Sequence, residues 1–242
     1  MYLYELFRQL TKLGEIDVDL NMLGIMSFYD YQNLRFLLQV FKREGQDISL
    51  LVLVDGDSEG KGIVQRVSAL CKRLAVPTLR LADGKSIEDY CIFEEEFIQA
   101  VKKTLQNACE AEGKPVPRDL DDRVRAAWSE QKAAKEKTER RDKGDKTEKP
   151  EREEKGEKRE KKTTGRWFKD LSSEIIEDEA SKIVLARVYA ELCREAKTPA
   201  QNRERVREST VLCRDIATKL SLPAVRAMRV IEVAPQKTSG SS

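Results

Sequence analysis

The stretch that most constrains the fold is "ISLLVLVDGDSEGKG", residues 48–62. Six of its first seven residues are apolar, which is typical of a strand buried on both faces of a parallel sheet. The strand ends in Asp55, Gly56 and Asp57, and further glycines follow. Because carboxylates crowded at a strand end repel one another, this pattern indicates that a positively charged ligand lies between them.

Hydrophobic periodicity predicts the order α-β-α-β-α-β-α over residues 1–111. The predicted helices span 2–13, 32–44, 62–74 and 94–111, and the predicted strands span 24–29, 48–54 and 76–82. The alternation predicts an α/β domain with a doubly wound parallel sheet flanked by helices. Since such sheets are built of β-α-β units, a chain that starts with a helix is expected to lack its first strand, which would precede Met1.

The composition changes after residue 111. Between residues 130 and 162, 25 of 33 residues are charged, so this segment offers little apolar surface to bury. We predict a charged disordered linker at 112–165, a helical C-terminal region at 166–235 and a disordered tail at 236–242. Apolar residues from Ile176 to Leu192 recur at helical spacing and predict one helix, and 200–220 predicts a second, with a short helix after Ser221.

Composition also excludes several classes of function. The chain has 36% charged residues but a net charge of only +2, so no global basic field marks a nucleic-acid binder. It has no histidine, which excludes Ser-His-Asp and Cys-His catalysis and histidine-ligated zinc. Five widely spaced cysteines predict reduced thiols, and the absence of a long apolar run or a secretory signal predicts a cytoplasmic, non-membrane protein.

Three known motif classes fit the turn at 55–62 incompletely. An EF-hand loop starting at Asp55 would need an acidic residue where Arg66 stands. A P-loop would need one more residue before Lys61 and a hydroxyl after it. A phosphatase of the haloacid dehalogenase type fits the strand and both aspartates, but it differs at Ser58-Glu59.

A fourth pattern matches over a longer stretch. "LLVLVDGDSEGKG" resembles the D-x-D strand of Toprim domains, the metal-binding α/β modules of topoisomerases, primases and OLD-family nucleases. "KSIEDYC", residues 85–91, resembles the I-E-x-Y signature of OLD-type Toprim domains, and "MYLYELFRQL" resembles the helix after their E-G-x-x-D motif. The resemblance covers residues 1–110 and, more loosely, 166–220.

The resemblance implies a metal-dependent DNA endonuclease with a two-metal Mg²⁺ or Mn²⁺ site. Asp55, Asp57 and Glu88 would bind metal, and Lys182 would lie near the scissile phosphate. The implied partners are DNA, an ABC-type ATPase domain or subunit encoded upstream or acting in trans, and a second copy of the chain. The catalytic glutamate of the family would precede Met1, and Glu5, inside an amphipathic helix, is not expected to replace it.

Alternatives remain open at this stage. The aspartates could cap a helix, Glu88 could be an exposed loop carboxylate, and Lys182 could be a solvated lysine on a helix. For the whole chain, the alternatives are a non-catalytic Toprim-like remnant or interaction protein, and a fragment of a haloacid-dehalogenase-like phosphatase.

Overall fold

The computed structural model of the protein describes residues 1–26, 31–42, 48–144, 163–195 and 203–222. Most of these residues are helical, and the described part also contains one small sheet. The helices are α1 (Tyr2–Lys12), α2 (Tyr31–Phe41), α3 (Ser58–Arg73), α4 (Glu94–Ala111), α5 (Leu120–Gly144), α6 (Thr164–Ile176), α7 (Lys182–Glu195) and α8 (Arg203–Leu220). The strands are β1 (Val52–Val54) and β2 (Thr78–Arg80), and two short 3₁₀ turns span Leu20–Met22 and Ile87–Tyr90.

The sheet has an α/β connection. Strands β1 and β2 pair in parallel, with Val52 opposite Thr78 and Val54 opposite Arg80, and α3 connects them. In the part of the chain that the structure describes, β1 and β2 are the only two strands. The α/β class is therefore confirmed in its coarse form, as a mostly helical chain around a two-stranded parallel sheet.

The predicted strand at 24–29 differs from the structure where it can be compared. Residues 24–26 form no strand, and residues 27–29 lie outside the described residues. Ile25 and Met26 are exposed, because the segment lies on the surface rather than in a sheet. The strands predicted at 48–54 and 76–82 are each reduced to three residues, whereas the helix predicted at 94–111 has its predicted bounds.

Helix α5 occupies much of the segment that we predicted to be a disordered linker at 112–165. Leu120, Val124 and Trp128 recur every four residues, and all three are buried against α4 and α6. This spacing places them on one face of a helix, and the face lies just before the stretch with the highest charge density. The linker prediction was therefore wrong for α5, because the high charge count outweighed a narrow apolar face in the sequence analysis. Residues 145–162 lie outside the described residues.

The C-terminal helical region is divided differently from the prediction. The single helix expected through Ile176 and Leu192 is two helices, α6 and α7, separated at residues 177–181. Glu177 adopts a left-handed conformation with φ of 61° and ends α6. The short helix predicted after Ser221 and the tail at 236–242 lie outside the described residues, except Ser221 and Leu222.

Three apolar clusters hold these elements together. The largest surrounds α4 and includes residues from α5, α6 and α7. The second joins α1, α8 and the segment after β2, and the third joins α2, α3 and β1. In the described residues, no helix combines the length and the apolar composition that crossing a membrane requires.

Candidate carboxylate–lysine site

The D-x-D turn connects β1 directly to α3. Asp57 is the N-cap of α3, and its Oδ1 accepts a hydrogen bond from the amide of Gly60 at 2.8 Å. A capping aspartate accepts a hydrogen bond from an amide that the first helical turn leaves unpaired. Its negative charge also interacts favourably with the positive end of the helix dipole. One oxygen of Asp57 therefore has the capping role that the sequence left open as an alternative to metal binding.

The glycines of this turn allow the backbone to pack closely on itself. A Cβ at Gly56 would clash with the backbone carbonyl of Ala82, just after β2, and the Gly56 amide donates to the carbonyl of Lys85 at 2.7 Å. A Cβ at Gly60 would clash with the carbonyl of Asp55. Gly56 thus lets the ends of β1 and β2 pack against each other, and Gly60 lets the first turn of α3 pack against the residue after β1.

Arg80 supports the same turn from the neighbouring strand. Its guanidinium donates to the carbonyl of Gly56 at 2.6 Å and to that of Asp57 at 3.2 Å. These carbonyls follow β1, and Arg80 is the last residue of β2, so the parallel pairing brings them together. The pattern D-x-D alone gave no signal for this contact, because it depends on the register of the two strands.

Glu88 enters the site from the 3₁₀ turn after β2. Its side chain is 4% exposed, and its Oε1 lies 3.8 Å from the Nζ of Lys182, the first residue of α7. Its Oε2 is buried and has no hydrogen-bond partner among the described residues. Glu88 is therefore a buried carboxylate with an incompletely satisfied hydrogen-bonding capacity, and not the exposed loop carboxylate of the alternative interpretation.

Asp55 lies in the same electrostatic environment. Burial, and after it the negative charge of Glu88, raise the pKa of Asp55 to about 7 against the opposing effect of the Lys182 ammonium. Asp57 adds a smaller repulsive effect, and the backbone of Ile87 forms a hydrogen bond to Asp55 that lowers its pKa. Asp55 and Glu88 thus share one nearby ammonium, and a carboxylate pair in this situation favours an additional cation.

A network around Asp89 attaches α6 to the turn that carries Glu88. Asp89 accepts hydrogen bonds from the amide of Ser86 at 2.8 Å, from the hydroxyl of Thr164 at 2.6 Å and from the ammonium of Lys135 on α5. Burial by itself raises the pKa of Asp89, but Lys135 and these hydrogen bonds outweigh it and lower the pKa below its ordinary value. The network fixes the first turn of α6 beside the carboxylates.

Gly165, in that first turn of α6, leaves room for the lysine. A Cβ at Gly165 would clash with the Nζ of Lys182 and would lie 3.1 Å from the Oε2 of Glu88. The Gly165 amide donates to the hydroxyl of Ser86 at 3.0 Å, so the backbone cannot easily move away. Only a residue without a side chain lets Lys182 reach Glu88 past α6.

We expect Gly165→Ala to displace the ammonium of Lys182 while the fold remains intact. The added methyl group clashes mainly with the end of a flexible side chain, and alanine favours a helix over glycine by about 1 kcal/mol. The rate of Lys182 acetylation by a lysine-modifying reagent, measured by mass spectrometry, should therefore rise. Gly62→Ala in α3 is the matched control, because its Cβ would meet only Arg66, at 3.7 Å. An unchanged acetylation rate in Gly165→Ala would contradict this arrangement.

The structure brings together three of the four residues that the sequence singled out: Asp55, Glu88 and Lys182. Asp57 is adjacent, but one of its oxygens binds the backbone of α3. Glu5 does not join them, because it is buried against Arg8 and Gln9 of its own helix. Sequence reasoning missed Gly165 and Arg80, whose contacts join segments that are distant in the chain.

The site contains fewer clustered carboxylates than the three that the sequence predicted, Asp55, Asp57 and Glu88. Within the described ranges, no three acidic or cysteine side chains form a group arranged to hold a metal ion. The close unit is instead a pair of carboxylates with one lysine. The chain matches no protein-family model, no curated protein and no solved structure.

Proposed function

We propose that the chain carries the metal-binding and phosphate-binding residues of a metal-dependent DNA endonuclease of the OLD type, on a Toprim-like fold. The observation that carries the proposal is the meeting of Asp55, Glu88 and Lys182, which come from three distant segments. Carboxylates are ligands for the metal ions that assist phosphodiester hydrolysis, and a lysine ammonium attracts a phosphate group. The motifs at 48–62 and 85–91 support the family assignment.

The donor set fits a hard divalent cation. Mg²⁺ is commonly bound through one or two carboxylates, with water and substrate phosphate completing its coordination. Asp55 and Glu88 provide two carboxylates, and the Oε2 of Glu88 has no protein partner among the described residues. Asp57 is the proposed third ligand, through the oxygen that does not cap α3. Mg²⁺ or Mn²⁺, bound as a pair in the family, would supply charge stabilisation at the phosphate and an activated water.

We assign the phosphate contact to Lys182. Its side chain is 33% exposed, so its ammonium can turn from Glu88 towards solvent and a bound phosphodiester. A divalent cation between Asp55 and Glu88 would repel the ammonium and favour that movement. Lys182 thus balances the charge of the carboxylates in the metal-free protein. In the protein with metal and substrate bound, it would contact a phosphate oxygen.

The resemblance extends the proposal to the partners. Duplex DNA is the proposed substrate, an ABC-type ATPase domain or subunit upstream or in trans is the proposed regulator, and self-association is proposed as in the family. The second candidate function is a non-catalytic, Toprim-like interaction module. It is favoured by the capping role of Asp57 and by the absence of a larger acidic cluster among the described residues.

Titration of Mn²⁺ by calorimetry tests the proposal. We expect the wild type to bind Mn²⁺, Glu88→Gln to weaken binding by at least tenfold, and the exposed Glu59→Gln to leave it unchanged. Lys182→Met should bind Mn²⁺ more tightly than the wild type, because a competing charge is removed, and should bind a short DNA duplex less tightly in Mn²⁺.

Two results would decide against the endonuclease proposal. Identical Mn²⁺ isotherms for the wild type and Glu88→Gln would favour the non-catalytic module. Metal binding without any Mn²⁺-dependent binding of the duplex would remove DNA as the substrate class, although the metal site would remain.

A further inference from the structure

Tyr2 has an unpaired polar group in the interior of the protein. It is the first residue of α1, its side chain is 7% exposed, and its ring packs 5.9 Å from that of Tyr189. Its hydroxyl has no hydrogen-bond partner among the described residues. A buried hydroxyl without a partner costs about 1–3 kcal/mol, so phenylalanine would fill this position more favourably. The hydroxyl therefore requires an explanation other than packing.

Tyr2 belongs to a helix that contacts the turn of the carboxylate site. Burial raises the pKa of Tyr2 well above its ordinary value, and the negative charge of Glu88 raises it further. Helix α1 contacts the 3₁₀ turn that carries Glu88. The Oε2 of Glu88 is also buried and unpaired, and the side chain of Glu88 is 4% exposed. Two contacting elements thus each carry an unsatisfied buried polar atom, the Tyr2 hydroxyl on α1 and the Oε2 of Glu88 on the turn.

The two atoms define what can lie between them. The Tyr2 hydroxyl can donate a hydrogen bond, whereas the carboxylate of Glu88 can only accept one. A water molecule satisfies both, because it accepts from one group and donates to the other, and bridging waters commonly satisfy such buried groups. A phosphate oxygen without a proton would be repelled by Glu88. The complementary ligand is therefore water.

We propose that Tyr2 is a positioning residue of the carboxylate site, whose hydroxyl orients Glu88 through a bound water. The inference rests on the proposed function, because it assigns Tyr2 to the shell of groups that orients a metal-binding carboxylate. Such outer-shell partners hold a ligand in the geometry that the metal needs, and their loss typically costs about 10–100-fold in metal affinity. Tyr2 itself is not among the residues that the family resemblance singled out.

The test is Tyr2→Phe, which removes the hydroxyl and keeps the ring. We expect its Mn²⁺ affinity to fall by about tenfold while its thermal midpoint stays the same or rises, because the hydroxyl has no protein partner to lose. In a Glu88→Gln background, Tyr2→Phe should cause no further loss. Tyr4→Phe is the matched control, since Tyr4 lies on the same helix and is exposed.

The outcomes separate this inference from the proposed function. If the wild type binds Mn²⁺ through Glu88 and Tyr2→Phe binds it equally well, the inference is wrong and the proposed function stands. If affinity and thermal midpoint fall together in Tyr2→Phe, Tyr2 is a packing residue and the inference is also wrong. If the wild type binds no Mn²⁺, the proposed function fails first and this role of Tyr2 fails with it.

Discussion

Asp55→Asn is expected to raise the thermal midpoint of the metal-free protein at pH 8 and to abolish Mn²⁺ binding. Burial and the charge of Glu88 raise the pKa of Asp55 to about 7, so ionising this carboxyl costs free energy in the folded protein. Asparagine keeps the shape and an acceptor oxygen for the backbone of Ile87, but it carries no charge. A site residue whose removal stabilises the fold is typical of a group selected for binding rather than for stability.

The pH dependence follows from the direction of the shift. Between the ordinary Asp pKa of 3.8 and the folded value of about 7, the folded state holds a proton that the unfolded state has released. Stability from Asp55 is therefore present below pH 4 and is lost as the pH rises towards 7. After allowance for partial exposure, the loss is about 2 kcal/mol, or roughly 4–8 °C for a chain of this size.

Thermal unfolding of both proteins from pH 4 to pH 8, without metal, measures this effect. The difference in midpoint between Asp55→Asn and the wild type should grow as the pH rises. In a second series with saturating Mn²⁺, the metal should stabilise only the wild type. Glu59→Gln, an exposed acidic residue in the first turn of α3, controls for the loss of one negative charge. A difference in midpoint that stays constant across this pH range would mean that ionising Asp55 costs no free energy in the folded protein. The electrostatic repulsion between Asp55 and Glu88 would then be contradicted.

Trp128→Ala is expected to lower the free energy of unfolding by about 3–5 kcal/mol, the usual cost of truncating a buried tryptophan. The Trp128 ring is buried, with centroids 5.4 Å from Phe97 on α4 and 5.2 Å from Trp167 on α6. Its indole N–H donates to the Oε1 of Glu94 at 2.9 Å. Truncation would leave a cavity between three helices and would leave Glu94 with one hydrogen bond fewer.

Chemical denaturation of the whole chain, monitored by circular dichroism, measures this loss. Glu130→Ala is the matched control, because Glu130 lies half a turn further along α5 and is exposed. The control should stay within about 0.5 kcal/mol of the wild type, as surface substitutions usually do. If Trp128→Ala behaved like the control, α5 would not pack against α4 and α6, and the predicted linker at 112–165 would be the better description.

The local features of the fold follow from short stretches of the sequence. An apolar run that ends in Asp55, Gly56 and Asp57 predicted a parallel strand followed by a turn and a helix, because those preferences depend on neighbouring residues. Helix α4 has its predicted bounds for the same reason: its apolar residues recur at helical spacing and three glutamates begin it. The family resemblance selected Glu88 and Lys182 as candidate site residues.

Contacts between distant groups depend on how the helices and strands pack. The contact between Lys182 and Glu88 needs Gly165 in α6, and the position of α6 needs the network around Asp89. The packing of α5 depends on aromatic partners in α4 and α6, so charge density along the sequence could not predict it. The proposed role of Tyr2 likewise depends on the packing of α1 against the turn that carries the unpaired oxygen of Glu88. Such contacts depend on how the elements pack in space, and the short-range periodicity of a sequence does not contain that information.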